Sequence, residues 1–347
     1  MKILYAIQGT GNGHVSRAMD IVPLLKKKVD TDVLISGIQS DIPLPFPVQY
    51  RYKGLSFIFG KNGGVDMYQT FLKLKSKRLY DEIKVLPIEK YDLIINDFEP
   101  ISAWAAYGAN KPCISLSHQA AVVSPYAPKP TSMDLVGQSI LRWYAPSTNK
   151  YGFHFERYDK HTYTPVIRQD VRKAMVSNKG HISVYLPAFE EEKLIKRFQL
   201  FDKVQWHVFS KHSKKSYQFK NVSVFPIRNE AFVQSMATSA GVICGAGFET
   251  PAEALYLGKK LLAIPMKGQY EQQCNATALS ELGVTVIKNL KKNKLDIIDD
   301  WLTYGKAIDV DYPDITEKII DQVLHKHAGL KSTELAKQWD EELNIMF

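Results

Sequence analysis

The run Gly245-Ala246-Gly247-Phe248-Glu249-Thr250-Pro251-Ala252-Glu253 suits a bound diphosphate. Its glycines let backbone amides approach a ligand closely. Thr250 and Pro251 open a helix, with proline in the first turn, where a missing N–H costs nothing. Such a helix start attracts anions through its free N–H groups and its dipole. Glu253 follows in the first turn, where a carboxylate can accept from both hydroxyls of a ribose. Farther on come Gly258, Pro265 and Glu271-Gln272-Gln273-Cys274-Asn275-Ala276. Glu271, Gln272 and Gln273 offer donors and acceptors for sugar hydroxyls. Gly-Ala-Gly alone is also an ordinary strand-to-helix turn; the whole constellation is what points to a nucleotide.

A second loop reads Gly9-Thr10-Gly11-Asn12-Gly13-His14. A dinucleotide fingerprint would need an acid at the end of the second strand. That strand ends Ile35-Ser36-Gly37, which speaks against NAD. Gly11, Asn12 and Gly13 instead form a loop that presents His14 at a helix start. An imidazole with an ordinary pKa near ~6.5 is a candidate general base, and a helix N-terminus favours its neutral form. A third segment, Asn96-Asp97-Phe98-Glu99-Pro100, also follows a strand. Asp97 there either caps a helix or orients His14, and Glu99 is an independent candidate base. Ser117-His118-Gln119 adds another histidine, as an acceptor contact or as a structural residue. The two Asp-x-Asp runs, Asp30-Thr31-Asp32 and Asp309-Val310-Asp311, do not sit in strand-end loops, so no metal site is expected.

The elements that must position these groups show an alternating rhythm. Residues 2–8, 33–36, 91–96 and 112–116 read as buried strands, with helices over 15–28 and 102–109 between them. A polar connector covers residues 165–180. The rhythm restarts with strands at 182–187, 204–209, 222–225, 241–244 and 261–265, and helices at 190–198, 230–238 and 250–257. The tail, residues 334–347, reads as an amphipathic helix that packs back on the first domain. This predicts α/β architecture in three parts: residues 1–175, residues 181–330 and a terminal helix within 331–347. Ligands of open parallel sheets bind beyond the carboxyl ends of the strands, where all of these loops fall.

The block from Gly245 to Ala276 resembles the nucleotide-sugar motif of the GT-B glycosyltransferases. It is most similar to the branch of the bacterial cell-wall N-acetylglucosaminyltransferase and the UDP-glucuronosyltransferases. The resemblance implies two Rossmann-like domains with parallel sheets facing a cleft. It implies that residues 181–330 bind a nucleotide-diphosphate sugar, UDP-linked, and residues 1–175 the acceptor. By resemblance, Gly247 and Thr250 hold the diphosphate, Glu253 the ribose, and Glu271 and Gln272 the sugar. Arg228 and Phe232 would flank the base. Plant-type members carry histidine, and retaining enzymes glutamate, eight residues before the ribose glutamate. That position is Gly245 here, which points to the inverting branch outside the plant group. The expected reaction is metal-independent sugar transfer with inversion, His14 as base and Asp97 its partner, with no cofactor beyond the donor. A UDP-sugar 2-epimerase or a non-catalytic nucleotide-sugar sensor would share the architecture.

Composition bounds the partners. Lys and Arg total 45 against 36 Asp and Glu, a net charge of +9. Residues 1–180 hold 24 basic and 15 acidic side chains, whereas residues 181–347 hold 21 of each. The excess belongs to the acceptor half and suits a negative, lipid-linked acceptor or a membrane surface. Lys26-Lys27-Lys28, the basic run 73–78 and the apolar Phe57-Ile58-Phe59 are its candidate contacts, alternatively solvated faces. No nucleic-acid motif is present. No stretch approaches the ~20 apolar residues of a membrane span. The apolar N-terminus is too short for a signal peptide, so the expected location is the cytoplasm or the inner face of the membrane. Three scattered cysteines indicate neither disulfides nor zinc.

Overall fold

The computed structural model describes residues 1–37, 44–54, 77–132 and 134–329. The segment 55–60, most of the basic run 73–78 and the tail 334–347 lie outside the described residues. The first unit has strands β1 (Lys2–Gln8), β2 (Asp30–Ser36), β3 (Tyr50–Tyr52), β4 (Leu93–Asp97), β5 (Cys113–Ser117), β6 (Asn149–Phe153) and β7 (Thr162–Tyr163). Its helices are α1 (Asn12–Lys28), α2 (Lys77–Val85), α3 (Pro100–Gly108), α4 (His118–Val122) and α5 (Leu135–Trp143). A short helix, α6 (Gln169–Arg172), lies in the connector. The second unit has β8 (Ile182–Tyr185), β9 (Trp206–Ser210), β10 (Tyr217–Phe219), β11 (Val222–Pro226), β12 (Gly241–Gly245), β13 (Lys260–Ile264) and β14 (Thr285–Val286). Its helices are α7 (Glu191–Phe198), α8 (Asn229–Thr238), α9 (Glu249–Tyr256), α10 (Tyr270–Glu281) and α11 (Leu295–Tyr304), followed by α12 (Thr316–Ala328).

Each unit carries one seven-stranded sheet. The first runs β3-β2-β1-β4-β5-β6-β7, all parallel, with Ile3 against Thr31 on one side and Leu93 on the other. The second runs β10-β11-β9-β8-β12-β13-β14, parallel except for the antiparallel edge strand β10. Central strands such as β1 and β4 are buried along almost their whole length, which is why they read as continuous apolar runs rather than alternating ones. Strand order reverses between β1 and β4 in the first sheet and between β8 and β12 in the second. A crevice opens outside the carboxyl ends of the strands at such a reversal. The loops after β1, β4 and β12 therefore stand at the two crevices. These are two Rossmann-like sheets, as expected from the GT-B resemblance.

One apolar cluster joins the units, running from Val15, Ile21 and Leu25 of α1 through Phe153 and Tyr163 to Phe232, Ala252 and Leu255. Separate clusters fill the outer face of each sheet, around Ile94 and Ile101 in the first and Val184 and Trp206 in the second. Among the described residues, α12 returns to the first unit. It buries Ile319, Ile320, Val323 and Leu324 in the shared cluster. Lys28 of α1 pairs with its Glu317 at 2.9 Å and Asp321 at 2.8 Å. Among the described residues no helix is long and apolar enough to cross a membrane.

Candidate active site

His14 is the third residue of α1, which starts after Gly11 at φ 95°, a conformation open to glycine. Asp97 ends β4. The next residue, Phe98, has φ 55°, a costly left-handed state for a bulky side chain. Its ring stacks on Tyr144 at 4.8 Å. The turn sends Asp97 and Glu99 to different partners. His14 Nδ1 lies 2.8 Å from Asp97 Oδ1. A carboxylate can only accept, so this contact, shorter than the 3.1 Å approach of Arg17 Nη2 to the same nitrogen, favours the proton on Nδ1 and leaves Nε2 as the basic nitrogen. Gln119 Nε2 stands 3.4 Å from that nitrogen and donates to Glu271 Oε2 at 3.0 Å. The structure thus brings together His14, Asp97 and Glu271 from three distant segments.

Arg17 completes the group. It lies one turn after His14 on the same helix face. It is 2% exposed and Asp97 is 0% exposed. Its Nη2 donates to Asp97 Oδ1 at 2.7 Å and Oδ2 at 2.9 Å, and its Nε to Oδ2 at 3.1 Å. Its Nη1 donates to Glu249 Oε1 of the second unit. Burial opposes the charged form of Asp97, but Arg17 and then His14 outweigh it and hold the carboxyl below its ordinary range.

On the facing unit, α9 begins at Glu249, and no side chain caps its N-terminus. Thr250 is half-buried in its first turn. A Cβ at Gly247 would meet no atom within 4 Å, so the approach to these amides is open. A Cβ at Gly13 would stand 2.6 Å from Glu249 Oε2, so the loop after β1 lies directly against this helix start. Gly245 ends β12 with similar room: its Cβ would come no closer than 3.8 Å to Gln272 Oε1. Gln273 is half-buried on α10.

Several sequence expectations are corrected. Glu99 is not a base facing the cleft. It is fully buried as the N-cap of α3, accepting from Ile101 N, Ser102 N, Ser102 Oγ and Ser36 Oγ at 2.6 to 2.8 Å. Burial pushes its pKa up, against those hydrogen bonds. The capping alternative for Asp97 falls with it. His118 is no acceptor contact: it is 1% exposed, its ring nitrogens are 2.7 Å from Phe153 O and 2.8 Å from Asn275 Oδ1, and its ring stacks on Phe248 at 3.9 Å. It is a strut between the units. Glu253 does not offer a free carboxylate to a ribose. Arg168, from the connector, takes both oxygens at 2.5 and 2.8 Å. Gln272 Oε1 is already engaged, accepting from Met266 N at 2.8 Å. Phe232 lies in the core against Tyr185 and Phe209. Arg228 is exposed just before α8 and makes no ion pair among the described residues.

Sequence reasoning missed Arg17, Glu249, Gln119, Arg168 and Asn275. Glu249, Gln119 and Asn275 stood inside the quoted motifs without a role assigned, and Arg17 had a local signal of its own: an arginine three residues after His14 on an otherwise apolar helix face, among Val15, Ala18 and Ile21.

Two Rossmann-like sheets, joined by one connector and with polar groups gathered at both crevices, define the GT-B class. The family model for glycosyl transferase family 1 matches residues 1–304, and the chain belongs to that family. It is accordingly a glycosyltransferase. Among solved structures it is similar to Os79 from O. sativa in complex with U2F and trichothecene, at 12% identity and TM-score 0.58 over 98% of this chain and 100% of that one. It is also similar to MurG of Acinetobacter baumannii, at 13% identity and TM-score 0.53 over 99% of each chain. A UDP-N-acetylglucosamine 2-epimerase aligns at 12% identity and TM-score 0.55 over 95% of this chain and 97% of that one. At these identities the likeness is one of fold. No curated protein sequence matches the chain.

Proposed function

We propose that the protein transfers a sugar, with inversion and without a metal, from a UDP-linked donor to an acceptor hydroxyl. The observation that carries this reading is the 2.8 Å contact of His14 with Asp97, on a loop set against the uncapped start of α9. The acceptor hydroxyl gives its proton to His14 Nε2, and its oxygen attacks the anomeric carbon. The bond from that carbon to the diphosphate breaks, and the diphosphate leaves with the electron pair. Backbone amides near Gly247, the Thr250 hydroxyl and the α9 dipole stabilise that growing charge. By the resemblance, Glu271 and Gln273 are assigned to the sugar hydroxyls and Arg228 to the nucleotide base, and Glu253, taken by Arg168, is left out of the donor set. The basic excess of residues 1–180 suits an anionic or lipid-linked acceptor.

The test is His14→Ala, assayed by UDP release over a panel of UDP-sugars and acceptors and by calorimetry with UDP. Loss of a general base lowers turnover by about 10²- to 10⁴-fold while UDP binding stays intact. Full activity in His14→Ala would remove the base assignment. An intact nucleotide sugar after turnover would indicate epimerisation instead.

A further inference from the structure

We infer that Arg17 is a positioning residue that assembles the two halves of the site as one unit, fixing the His14 proton together with Asp97 and offsetting part of the Glu249 charge at the start of α9. This rests on the sugar-transfer reading above. Arg17 sits inside the apolar face of α1, with its guanidinium over the Phe153 ring at 5.5 Å. Desolvating a guanidinium is unfavourable unless its donors are satisfied. Here the donors divide between units. Three contacts go to Asp97 at the end of β4, one reaches His14 Nδ1 at 3.1 Å, and one goes to Glu249 at the start of α9.

A counter-ion for Asp97 alone would not need the contact to Glu249. That glutamate stabilises its own helix start, but an uncompensated carboxylate there would repel an incoming diphosphate. Arg17, which it shares with Asp97, offsets part of that charge. The close approach of Gly13 to Glu249 Oε2 is an independent sign that this contact is built into the loop: a side chain at position 13 would push the glutamate away. On the other side, buried Asp97 without Arg17 would take up a proton. As a donor it would reverse the hydrogen bond, leaving the proton on His14 Nε2 and no base for the acceptor hydroxyl.

The experiment compares wild type, Arg17→Gln, Glu249→Gln and the double variant. Two readouts need no knowledge of the acceptor: ¹⁵N NMR of labelled histidine for the His14 tautomer, and calorimetry with UDP. Wild type is expected to hold the Nδ1–H tautomer. Arg17→Gln should move His14 toward Nε2–H and weaken UDP binding about tenfold, the effect of one uncompensated charge near the phosphates. Adding Glu249→Gln should restore UDP binding without restoring the tautomer, which a merely structural arginine would not do. Should Arg17→Gln not fold, Glu249→Gln alone should tighten UDP binding and keep Nδ1–H; unchanged UDP affinity there overturns the inference. So does an Arg17→Gln protein with wild-type tautomer and wild-type UDP affinity. If wild type binds no UDP, the donor reading fails, and the tautomer comparison still decides the role of Arg17 toward His14.

Discussion

Asp97 stays charged in spite of its burial because of what surrounds it in the fold. Arg17 and His14 overcome its burial, so its folded pKa lies below the ordinary ~3.9 of the unfolded chain. A lowered carboxylate pKa adds stability that is present above the unfolded value and lost as pH falls through the folded one. The stability gap between wild type and Asp97→Asn should therefore shrink below about pH 4, checked by urea unfolding at a series of pH values. The same substitution should cut turnover on the order of 10³- to 10⁴-fold by the loss of tautomer control, with UDP affinity kept. His14 and Asp97 were legible because each ends a strand-to-helix loop at a crevice. Choosing between Asp97 and Glu99 was not, because two acids two residues apart look equivalent until Phe98 adopts its left-handed turn.

At the scale of elements, the caps and close approaches that hold the site are the exposed points. Glu99→Ala removes the α3 cap and leaves Ser36 and Ser102 hydroxyls without their acceptor, and should cost at least about 1–2 kcal/mol in denaturant unfolding. Gly152 on β6 lies so close to α4 that a Cβ would stand 2.3 Å from Ala121 N. Gly152→Ala should therefore destabilise by about 1–3 kcal/mol and displace Gln119 and His118, read as a lower melting temperature with reduced activity. The central parallel strands were legible as buried apolar runs, but the short parallel strands β3, β6, β7 and β14 were not. Helices α5 and α10 were not. The buried residues of α10, Tyr270, Cys274, Asn275, Ala276, Ala278 and Leu279, do not form one stripe, because it packs against both α5 and its own sheet.

Over the whole molecule, α12 ties the end of the second unit to the helix that carries His14. Ile320 is 1% exposed in the shared cluster, and Ile320→Ala should cost about 2–5 kcal/mol by urea denaturation. Residues 1–180 gather the full +9, and if they meet an anionic surface, binding to acidic vesicles should fall at high salt while neutral vesicles are ignored. Equal binding to both vesicles would remove that partner. By itself, the sequence determined the α/β rhythm, the two units and the loops that bear chemistry, because strand burial, glycine turns and helix starts are written in neighbouring residues. Only the tertiary structure decided which charges meet: Arg17 with Glu249, 232 positions apart, Arg168 with Glu253, and His118 with Asn275. Those pairings depend on how two sheets dock and which ions lose their water, and no local periodicity encodes that.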